Sequence, residues 1–328
     1  MGPSLDIIIV NWNTGAYLRD CLAALSGTQR DGYVLGRVVV VDNASSDHSA
    51  DDLFYPTLPL SIIRNNSNRG FAAACNQGAE DSMADYLLFL NPDTSVLNDT
   101  LSKSVAWMEA PGNSRTGVSG VQLLDENGNV SRSCSRGFKT RYFIYHMLGL
   151  SRIFLNTFPD YVYLEWDHLE SRHIEHVIGA YLFIRRLLFE EVKGFDERFF
   201  VYCEDVDLTL KVRQAGWSIY YLSTAQCHHA GCGSSRQTKA RRLFYTLRSR
   251  IFYGFKNFGT ASAVTLLLAT LFIEPISRIG DAMVRGSMTE FLEIVHAYVS
   301  LWRALPGILG SQYLRQPETM RLEVEGWQ

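Results

Sequence analysis

Short apolar runs recur along the first part of the chain, and polar residues follow each of them. The runs occupy residues 5–10, 38–41, 60–64 and 86–90, and helical patterns lie between them at 16–25 and 72–80. Apolar runs of this length that alternate with helices are typical of buried parallel strands. We therefore predict an α/β fold in which helices flank a mostly parallel central sheet.

Polar side chains stand where the first two predicted strands end. Asn11 and Asn13 follow the first strand, and Asp42 follows the second. Ligands bind outside the carboxyl ends of parallel strands, so these three residues are candidates for a binding site. The turn after the first strand reads NWNTG. It lacks the glycine triplet that holds a dinucleotide pyrophosphate, which argues against NAD.

An asparagine-rich loop at residues 65–70 precedes the second helical pattern and contains Asn68 and Arg69. Free backbone N–H groups at a helix N-terminus stabilise anions, and Arg69 would add a positive charge there. Alternatively, the Asn and Gly residues only make the turn and the N-cap. The residues by themselves leave both interpretations open.

The strand at residues 86–90 ends in Asn91, Pro92 and Asp93. A carboxylate held by a proline just past a buried strand suits Mg²⁺ or Mn²⁺, which take oxygen ligands and often share them with substrate phosphates. The alternative is a turn without a ligand. His228 and His229 follow a strand predicted at 217–222, and imidazole also suits Mn²⁺, although a histidine is more often structural.

Three carboxylates, those of Glu204, Asp205 and Asp207, directly precede a helical pattern that stops at Gly216. They would cap the helix, because its dipole favours acids in the first turn. Alternatively, one of them is a general base, because aromatic neighbours and crowded like charges raise the proton affinity of a carboxylate. The two interpretations are compatible, and the spacing leaves both open.

The pattern changes after residue 117. Residues 118–124 and 129–134 predict a hairpin around the turn at 125–128. Residues 136–173 then mix aromatic and charged side chains without clear periodicity. A long irregular segment is often functional, which favours an acceptor-binding loop or lid, and the alternative is an insertion that only packs.

Residues 236–259 contain seven Lys or Arg residues and no acid, interleaved with aromatic residues. Helical spacing on adjoining faces predicts contact with an anionic membrane surface, and the alternative is a packed helix with a solvated basic face. The apolar run at 261–273 meets Glu274 and Pro275 and falls short of the about 20 residues of a spanning helix. With residues 291–302 it would add interfacial or homodimer contacts.

Composition and charge mainly exclude classes of protein and of site. The 328-residue chain has 47% apolar and 20% charged residues and a net charge of −3, which indicates a globular protein without a nucleic-acid signature. Its six cysteines are scattered and lack the spacing of zinc or redox motifs, so we predict reduced thiols and a cytosolic setting. We expect no signal peptide before the first strand.

Six ordered motifs resemble family 2 glycosyltransferases of the GT-A fold. The motifs are VNWN, VVDNASSD, NSNRGFAAACNQG, LLFLNPDT, GAYLFIRR and GFDERFFVYCEDVDL, and the resemblance covers residues 5–259. It is strongest for the branch of rhamnosyltransferases that act on lipid-linked bacterial polysaccharide precursors. It implies a nucleotide-diphospho-sugar transferase fold, with a Rossmann-like, mostly parallel central sheet flanked by helices and a C-terminal helical extension.

The resemblance also implies roles for single residues in nucleotide binding. Asp42 would recognise the nucleotide base or ribose, beside Asn11 and Asn13. The loop around Asn68 and the helix that carries Asn76 would help to shape the nucleotide pocket.

For the metal and the chemistry, Asp93 would bind the ion, in a motif that usually reads Asp-x-Asp. Asn91 stands where the first Asp often occurs, which removes a charge and weakens metal binding. His228 or His229 would complete the metal and diphosphate site. Asp205 matches the catalytic base, with Glu204 as its neighbour.

The activity implied is inverting, metal-dependent transfer of a sugar from a dTDP- or UDP-linked donor, with dTDP-rhamnose expected first, to a polyprenyl-diphosphate-linked saccharide. Residues 1–235 would form the catalytic domain and residues 236–328 a membrane-associating region. The enzyme would lie in the cytoplasm, peripheral on the inner face of the bacterial plasma membrane. A nucleotidyltransferase and a catalytically silent nucleotide-sugar-binding protein are the alternatives.

Overall fold

Residues 2–231 and 239–310 are described by a computed structural model of the chain. Contacts divide the chain into two compact units. The sheet unit comprises Met1–Gly137, Trp166–Asp196 and Asp205–Ser234, and the helical unit comprises Phe138–Glu165, Glu197–Glu204 and Ser235–Gln328. The domain boundary predicted between residues 235 and 236 lies outside the described residues and stays a prediction.

The strands and helices are numbered along the chain. The strands are β1 Ser4–Asn11, β2 Val34–Asp42, β3 Leu60–Arg64, β4 Tyr86–Leu90, β5 Thr94–Val96, β6 Thr116–Leu124, β7 Cys134–Ser135, β8 Arg172–Ile174, β9 His176–Val177, β10 Tyr181–Arg185 and β11 Ser218–His229. The helices are α1 Tyr17–Ser26, α2 Phe71–Ala79, α3 Thr100–Glu109, α4 Thr140–Met147, α5 Leu150–Ile153, α6 Arg186–Glu191, α7 Glu204–Gln214, α8 Lys239–Asn257, α9 Thr260–Leu268, α10 Glu274–Val284 and α11 Met288–Leu309.

The main sheet of the sheet unit has the strand order β3-β2-β1-β4-β10-β6-β11-β5, and β8 also pairs with β11. β1 is parallel to both β2 and β4, whereas β10 is antiparallel to β4 and β6. The chain moves outward from β1 to β3 and returns on the other side of β1 at β4. Ligands bind at such a reversal, so the topology places the carboxyl ends of β1, β2 and β4 around one crevice.

The core of the sheet unit explains why the strands read as continuous apolar runs. Ile7, Ile9, Val38 and Leu88 are completely buried, because helices cover the sheet. Helix α1 contributes a stripe at helical spacing that consists of Leu18, Cys21, Leu22 and Leu25. Each buried Leu or Ile contributes about 1.5–3 kcal/mol. The predicted α/β fold, with its first four strands and two helices, is confirmed.

The described cysteines agree with the prediction of reduced thiols. Cys21, Cys75, Cys134, Cys203 and Cys227 are buried and free of disulfides. Burial raises the pKa of the Cys21 thiol to about 12, so this group stays protonated at neutral pH. Cys232 lies outside the described residues.

The predicted hairpin is wrong beyond its turn. A single bridge joins Leu124 to Val130, and β7 then pairs with β9. The physical reason is a competing partner: Cys134 and Ser135 of the second arm pair with Val177 and His176 of β9 and not with β6. Backbone hydrogen bonds to β9 therefore satisfy the end of the arm that a hairpin would have paired with β6.

Residues 136–173 are less irregular than their sequence indicated, because α4 and α5 occupy part of the segment. Tyr142, Phe143 and Met147 form the buried face of α4. The aromatic residue Tyr145 also packs, with its ring 5.0 Å from that of Phe158. Aromatic side chains on more than one face therefore mask the helical period.

Helix α8 is the central helix of the helical unit and not an exposed basic helix. Phe252 lies 4.7 Å from Phe199 between ring centroids, and Tyr245 stacks on Phe200 at 5.0 Å. Arg248 and Arg250 are also buried. Within residues 239–259, the prediction that α8 turns its aromatic and basic residues to a membrane is therefore wrong; Arg236 lies outside the described residues.

The helical stretch after α8 does not stop at Glu274 and Pro275. A π-helical turn, Ala269–Ile273, joins α9 to α10, and Pro275 lies in the first turn of α10. Thr260–Val284 thus forms a helical stretch of 25 residues that contains an 18-residue window with a mean hydropathy of 1.5, long and apolar enough to cross a membrane by length and composition. The expectation that this run is too short is wrong. No other helix in the described residues meets both criteria.

Glu274 joins the helices of this unit through charge. Its carboxylate binds the buried guanidinium of Arg250 and accepts a hydrogen bond from Arg278 at 2.8 Å. Burial by itself would raise the pKa of Glu274, but these two cations hold it below its ordinary value. The carboxylate therefore stabilises the fold above the unfolded pKa, and the contribution is lost as the pH falls through the folded pKa.

Glu274→Ala should destabilise the protein by about 3–5 kcal/mol at pH 7, because it leaves the buried Arg250 without its counter-ion. Urea unfolding of the helical signal by circular dichroism measures this loss. Glu290→Ala is the matched control, since Glu290 pairs with Arg285 at the surface and should cost about 0–1 kcal/mol. Equal losses in the two variants would contradict this account.

Candidate active site

The ends of β1 and β2 are joined by a side-chain amide. Asn11 and Asp42 lie opposite each other in the parallel register, and Asn11 Nδ2 donates to Asp42 Oδ1 at 2.9 Å. The same amide lies 2.9 Å from Ser49 Oγ. Asn13 adopts a left-handed backbone conformation with a φ of 50°, and its Oδ1 accepts a hydrogen bond from Ser46 N. The three polar residues predicted at these strand ends therefore share one edge.

The asparagine-rich loop is bound to this edge through Asn43. Asn43 Nδ2 donates to Asn68 Oδ1 at 3.0 Å, and Asn43 Oδ1 accepts from the backbone N–H of Arg69 at 3.1 Å. The side chain of Arg69 is exposed. Asn68 also accepts from Gly70 N at 2.9 Å at the start of α2. Asn43 is a site residue that the sequence reading missed.

Asn76 holds a second loop. Its amide donates to the carbonyl of Phe195 and accepts from the N–H of Phe195, both at 2.9 Å. Two hydrogen bonds to one residue's backbone fix the conformation of that residue. Asn76 therefore contributes to the shape of the site by holding the Phe195 loop.

The two predicted metal-ligand histidines separate in the structure. β5 pairs with β11 so that Thr94 lies opposite His229 and Ser95 opposite His228. His229 Nε2 lies 3.4 Å from Asp93 Oδ1. Side chains alternate along a strand, so His228 points to the opposite face. His229 is thus the histidine that meets Asp93.

The pair formed by Asp93 and His229 fits a divalent cation. A carboxylate oxygen and an imidazole nitrogen are both ligands for Mn²⁺, and both side chains are largely buried at the sheet edge. The described residues contain no cluster of three His, Cys, Asp or Glu side chains that could hold a metal. An ion at this pair would therefore complete its coordination with phosphate oxygens and water, as Mg²⁺ and similar ions commonly do.

Asp205 is held by backbone groups on both carboxylate oxygens. Oδ2 accepts from the N–H of Gly179 at 2.9 Å, and Oδ1 accepts from the N–H of Val206 at 2.8 Å. Its side chain retains 16% exposure, so it is oriented and still reachable from solvent. Glu204 begins α7 and is buried. Asp205 is therefore better placed than Glu204 to meet a substrate.

Backbone hydrogen bonds connect Asp205 to the Asp93 loop. Gly179, which binds Asp205, precedes Ala180, and the carbonyl of Ala180 accepts from the N–H of Asn91 at 3.0 Å. Asn91 lies two residues before Asp93. The pairing of β10 with β4 therefore places both predicted acids at the same edge of the sheet, next to the ends of β1 and β2.

A histidine that the sequence reading missed lies behind Asp205. His176 Nε2 is 3.8 Å from Asp205 Oδ2, and His176 Nδ1 is 3.1 Å from Thr209 Oγ1. The Thr209 hydroxyl donates to the carbonyl of Asp205 at 2.9 Å, so it accepts its hydrogen bond from Nδ1. Burial lowers the pKa of His176, against the opposing effect of Asp205. No local motif could reveal this residue, since it lies 29 positions away from Asp205 in the chain.

The backbone just before the acids is strained. Tyr202 and Cys203 both have left-handed conformations, with φ of 68° and 66°. Non-glycine residues rarely adopt such values, and strain of this kind clusters at functional sites.

The family model described as "Glycosyl transferase family 2" matches residues 6–192. This chain belongs to glycosyl transferase family 2. The match contains β1, β2 and β4 with their polar ends, and it confirms the family resemblance found in the sequence. The chain is therefore a glycosyltransferase.

Relatives of the glycosyltransferase include two rhamnosyltransferases. It is 26% identical over 279 residues to the N-acetylglucosaminyl-diphospho-decaprenol L-rhamnosyltransferase of Mycobacterium tuberculosis, with 79% of this chain and 87% of that protein covered. It is 27% identical over 172 residues to rhamnosyltransferase WbbL of Escherichia coli, with 52% and 61% covered.

The fold of this glycosyltransferase is found in solved structures. A mannosyltransferase, PcManGT from Pyrobaculum calidifontis in complex with GDP-Man and Mn²⁺, has a TM-score of 0.53 at 19% identity, with 96% of this chain and 83% of that chain covered. The GT-A fold predicted from the sequence is confirmed.

The buried, neutral His176 predicts a pH dependence of stability. Its folded pKa lies below the unfolded value, so the unfolded chain binds the proton first as the pH falls. Relative to a His176→Gln variant, the wild type should lose about 1.4 kcal/mol per pH unit below about pH 6.5, down to the folded pKa. Urea unfolding at pH 7.5, 6.0 and 5.0 measures the difference, and parallel stability profiles would contradict it.

Proposed function

We propose that this glycosyltransferase is inverting and metal-dependent, and that it transfers L-rhamnose from dTDP-rhamnose to a hydroxyl of a polyprenyl-diphosphate-linked saccharide. The observation that carries the proposal is the placement of Asp205 and Asp93 at one sheet edge, linked through Gly179, Ala180 and Asn91. Transfer of a sugar from a phosphate needs a base at the incoming hydroxyl and charge stabilisation at the leaving diphosphate. These two acids supply one function each.

The relatives support the sugar and the class of acceptor named here. The M. tuberculosis protein is an L-rhamnosyltransferase that acts on N-acetylglucosaminyl-diphospho-decaprenol by its name, and the E. coli protein is also a rhamnosyltransferase. A saccharide on a polyprenyl diphosphate is therefore the acceptor class that we assign to this chain. The acceptor would bind near residues 136–173, the segment that we propose as an acceptor loop.

The nucleotide of the donor would lie against the ends of β1 and β2. Asp42 is buried and shares a hydrogen bond with Asn11, so one carboxylate oxygen is oriented by the amide. We assign Asp42 to the ribose or the base. Asn13, Asn68 and Arg69 would surround the nucleotide on adjoining loops.

Asp93 and His229 would hold the divalent cation, for which Mn²⁺ is the first choice because the pair offers a nitrogen ligand. When bound, the ion would offset negative charge on the leaving diphosphate. Asn91 is neutral and adds no second carboxylate to this pair. We assign the ion to His229 and not to His228, because side chains alternate along a strand and His228 lies on the other face.

Asp205 would act as the general base. An acceptor hydroxyl oxygen attacks the anomeric carbon, its proton passes to the Asp205 carboxylate, and the bond from that carbon to the diphosphate oxygen breaks. Attack from the face opposite the leaving group inverts the configuration in one step. The N–H groups of Gly179 and Val206 hold the carboxylate in one orientation, which favours a productive approach.

The alternatives from other classes are not favoured. A nucleotidyltransferase would release pyrophosphate, whereas this reaction releases a nucleoside diphosphate. A catalytically silent binding protein would not need a carboxylate that is oriented by two backbone N–H groups and still reachable from solvent. For the cellular setting, we propose a cytoplasmic enzyme that is peripheral on the inner face of the plasma membrane, with a homodimer as a candidate assembly.

Asp205→Asn should lower kcat by about 10²–10⁴-fold, because it removes the proton acceptor while keeping the shape of the side chain. Transfer from dTDP-rhamnose to a synthetic lipid-linked acceptor measures kcat, and calorimetry measures donor affinity, which should stay within a few-fold of wild type. Asp52→Asn, at an exposed position, is the matched control and should leave both unchanged. Loss of donor binding in Asp205→Asn would contradict its role as the base and would indicate that Asp205 binds the nucleotide.

His229→Ala should weaken Mn²⁺ binding in the presence of nucleoside diphosphate by at least about tenfold, because it removes one of two protein ligands. His228→Ala is the matched control, one residue away on the same strand, and should bind Mn²⁺ as wild type does. Electron paramagnetic resonance of free Mn²⁺ reads the affinity without requiring turnover. An equal loss of Mn²⁺ affinity in both variants would contradict the assignment of His229 as a metal ligand.

A further inference from the structure

Among the described residues of the helical unit, one apolar face is not covered by the packing of the other described residues. It is formed by the outward stripes of α9, α10 and α11, and we call it the hairpin face. Its main members are Leu268, Phe272, Ile276, Leu292, Val299 and Trp302, each of them at least 40% exposed. Scattered apolar residues are normal on a protein surface, whereas a contiguous apolar patch marks an interaction site.

Helical spacing makes the hairpin face continuous. Leu268, Phe272 and Ile276 follow one another at intervals of four, which places them on one side of their helical stretch. The rings of Phe272 and Trp302 lie 5.8 Å apart between centroids, so the stripe on α11 adjoins the first one. Opposite sides of the same helices are buried, as Leu271 and Leu301 show. Each helix therefore has one apolar side inside the unit and another outside it.

This stretch contains few charges, and each of them has a partner. Thr260–Val284 contains Glu274, Arg278 and Asp281 as its charged residues. Glu274 is buried, Arg278 bonds to it, and Asp281 pairs with Arg152 at 3.3 Å. A surface helix that faces water normally presents a polar side with several charges. In this stretch the few charges are partnered within the unit, and an 18-residue window has a mean hydropathy in the range of membrane helices.

Basic residues border the hairpin face. Lys139 and Arg141 are exposed at the start of α4, whose Thr140 hydroxyl donates to the carbonyl of Ser262 in α9 at 3.2 Å. At the other end, Arg303 is exposed beside Trp302, whereas Arg285, which directly follows the stretch, pairs with Glu290. Tryptophan at the margin of an apolar surface, together with flanking Lys and Arg, is typical of membrane interfaces.

We infer that the hairpin face is the surface by which this glycosyltransferase binds a bilayer that contains anionic lipids. The apolar stripes enter the boundary between headgroups and acyl chains, and the basic border contacts the phosphates. The inference rests on the proposed function in one respect, since a lipid-linked acceptor requires the enzyme to work at a membrane. It replaces α8, which is buried in the helical unit, as the membrane-binding element.

The test is co-sedimentation of the full chain with vesicles of phosphatidylethanolamine and phosphatidylglycerol. An Ile276→Glu/Leu292→Glu variant should partition at least about tenfold less than wild type, because two inserted apolar side chains become charged. The matched control is Phe54→Glu/Met83→Glu, which changes two exposed apolar residues of the sheet unit and should partition as wild type does. Arg303→Gln should reduce partitioning by about fivefold on these vesicles. On pure phosphatidylcholine vesicles it should have little effect.

A second readout reports depth. Lipids brominated on their acyl chains should quench the fluorescence of Trp302, and this quenchable fraction should be lost in Trp302→Phe. Both results support a lipid contact. Equal partitioning of all variants would overturn the inference. A second result would also overturn it: the wild type forms dimers without lipid, and Ile276→Glu/Leu292→Glu converts them to monomers without any change in vesicle binding. The hairpin face would then be an interface between two copies of the chain.

Activity separates a failure of this inference from a failure of the proposed function. With a water-soluble, short-chain acceptor, Ile276→Glu/Leu292→Glu should be as active as wild type, whereas with an acceptor embedded in vesicles it should be slower in proportion to its lost binding. If no acceptor is glycosylated but the vesicle results hold, the proposed substrate is wrong and the hairpin face stands. If turnover of the soluble acceptor is normal and Ile276→Glu/Leu292→Glu binds vesicles as wild type does, the proposed function stands and the hairpin face is not the membrane-binding surface.

Discussion

The pairing of β10 with β4 is the contact on which the site of this glycosyltransferase depends. β10 runs antiparallel in an otherwise parallel part of the sheet, so its beginning lies beside the carboxyl end of β4. The two residues that precede it then bind Asn91 and Asp205 through their backbone. A slip of one residue in this register would turn every β10 side chain to the other face and remove these two bonds. Strand pairing thus brings an acid from α7 to the edge that bears Asp93.

At this edge, hydrogen bonds from side-chain amides connect the strand ends and loops, as backbone hydrogen bonds connect the strands within the sheet. Asn11 joins the ends of β1 and β2, Asn43 binds the loop before α2, and Asn76 holds Phe195. Loops have few backbone partners of their own, and buried polar groups require hydrogen bonds. An amide both donates and accepts without carrying charge. It therefore fixes the loops without adding charge beside Asp42, Asp93 and Asp205.

In the helical unit, charged side chains lie in the interior and apolar side chains lie on the surface, unlike in the apolar core of the sheet unit. Arg250 and Glu274 lie inside it, while Phe272, Ile276 and Leu292 lie on its surface. A buried ion pair is costly unless the geometry is good, and here a second guanidinium, that of Arg278, also binds the carboxylate. Charges that stabilise the interior leave the outer surface of the stretch apolar. An apolar outer surface of this kind is stable against the apolar part of a lipid bilayer, which is the contact that we infer for it.

The strands from β1 to β4 and the family were determined by the sequence alone, and the sequence also proposed the acids at residues 93 and 205 as site residues. Apolar runs and helical periods depend only on neighbouring residues, and the ordered motifs preserve chemistry together with spacing. The tertiary structure decided which histidine meets Asp93, where the second arm of the hairpin goes, that His176 lies behind Asp205, and that the aromatic residues of α8 face inward. Each of these depends on pairing between segments distant in the chain, and local patterns do not encode which partner an edge or a face will find.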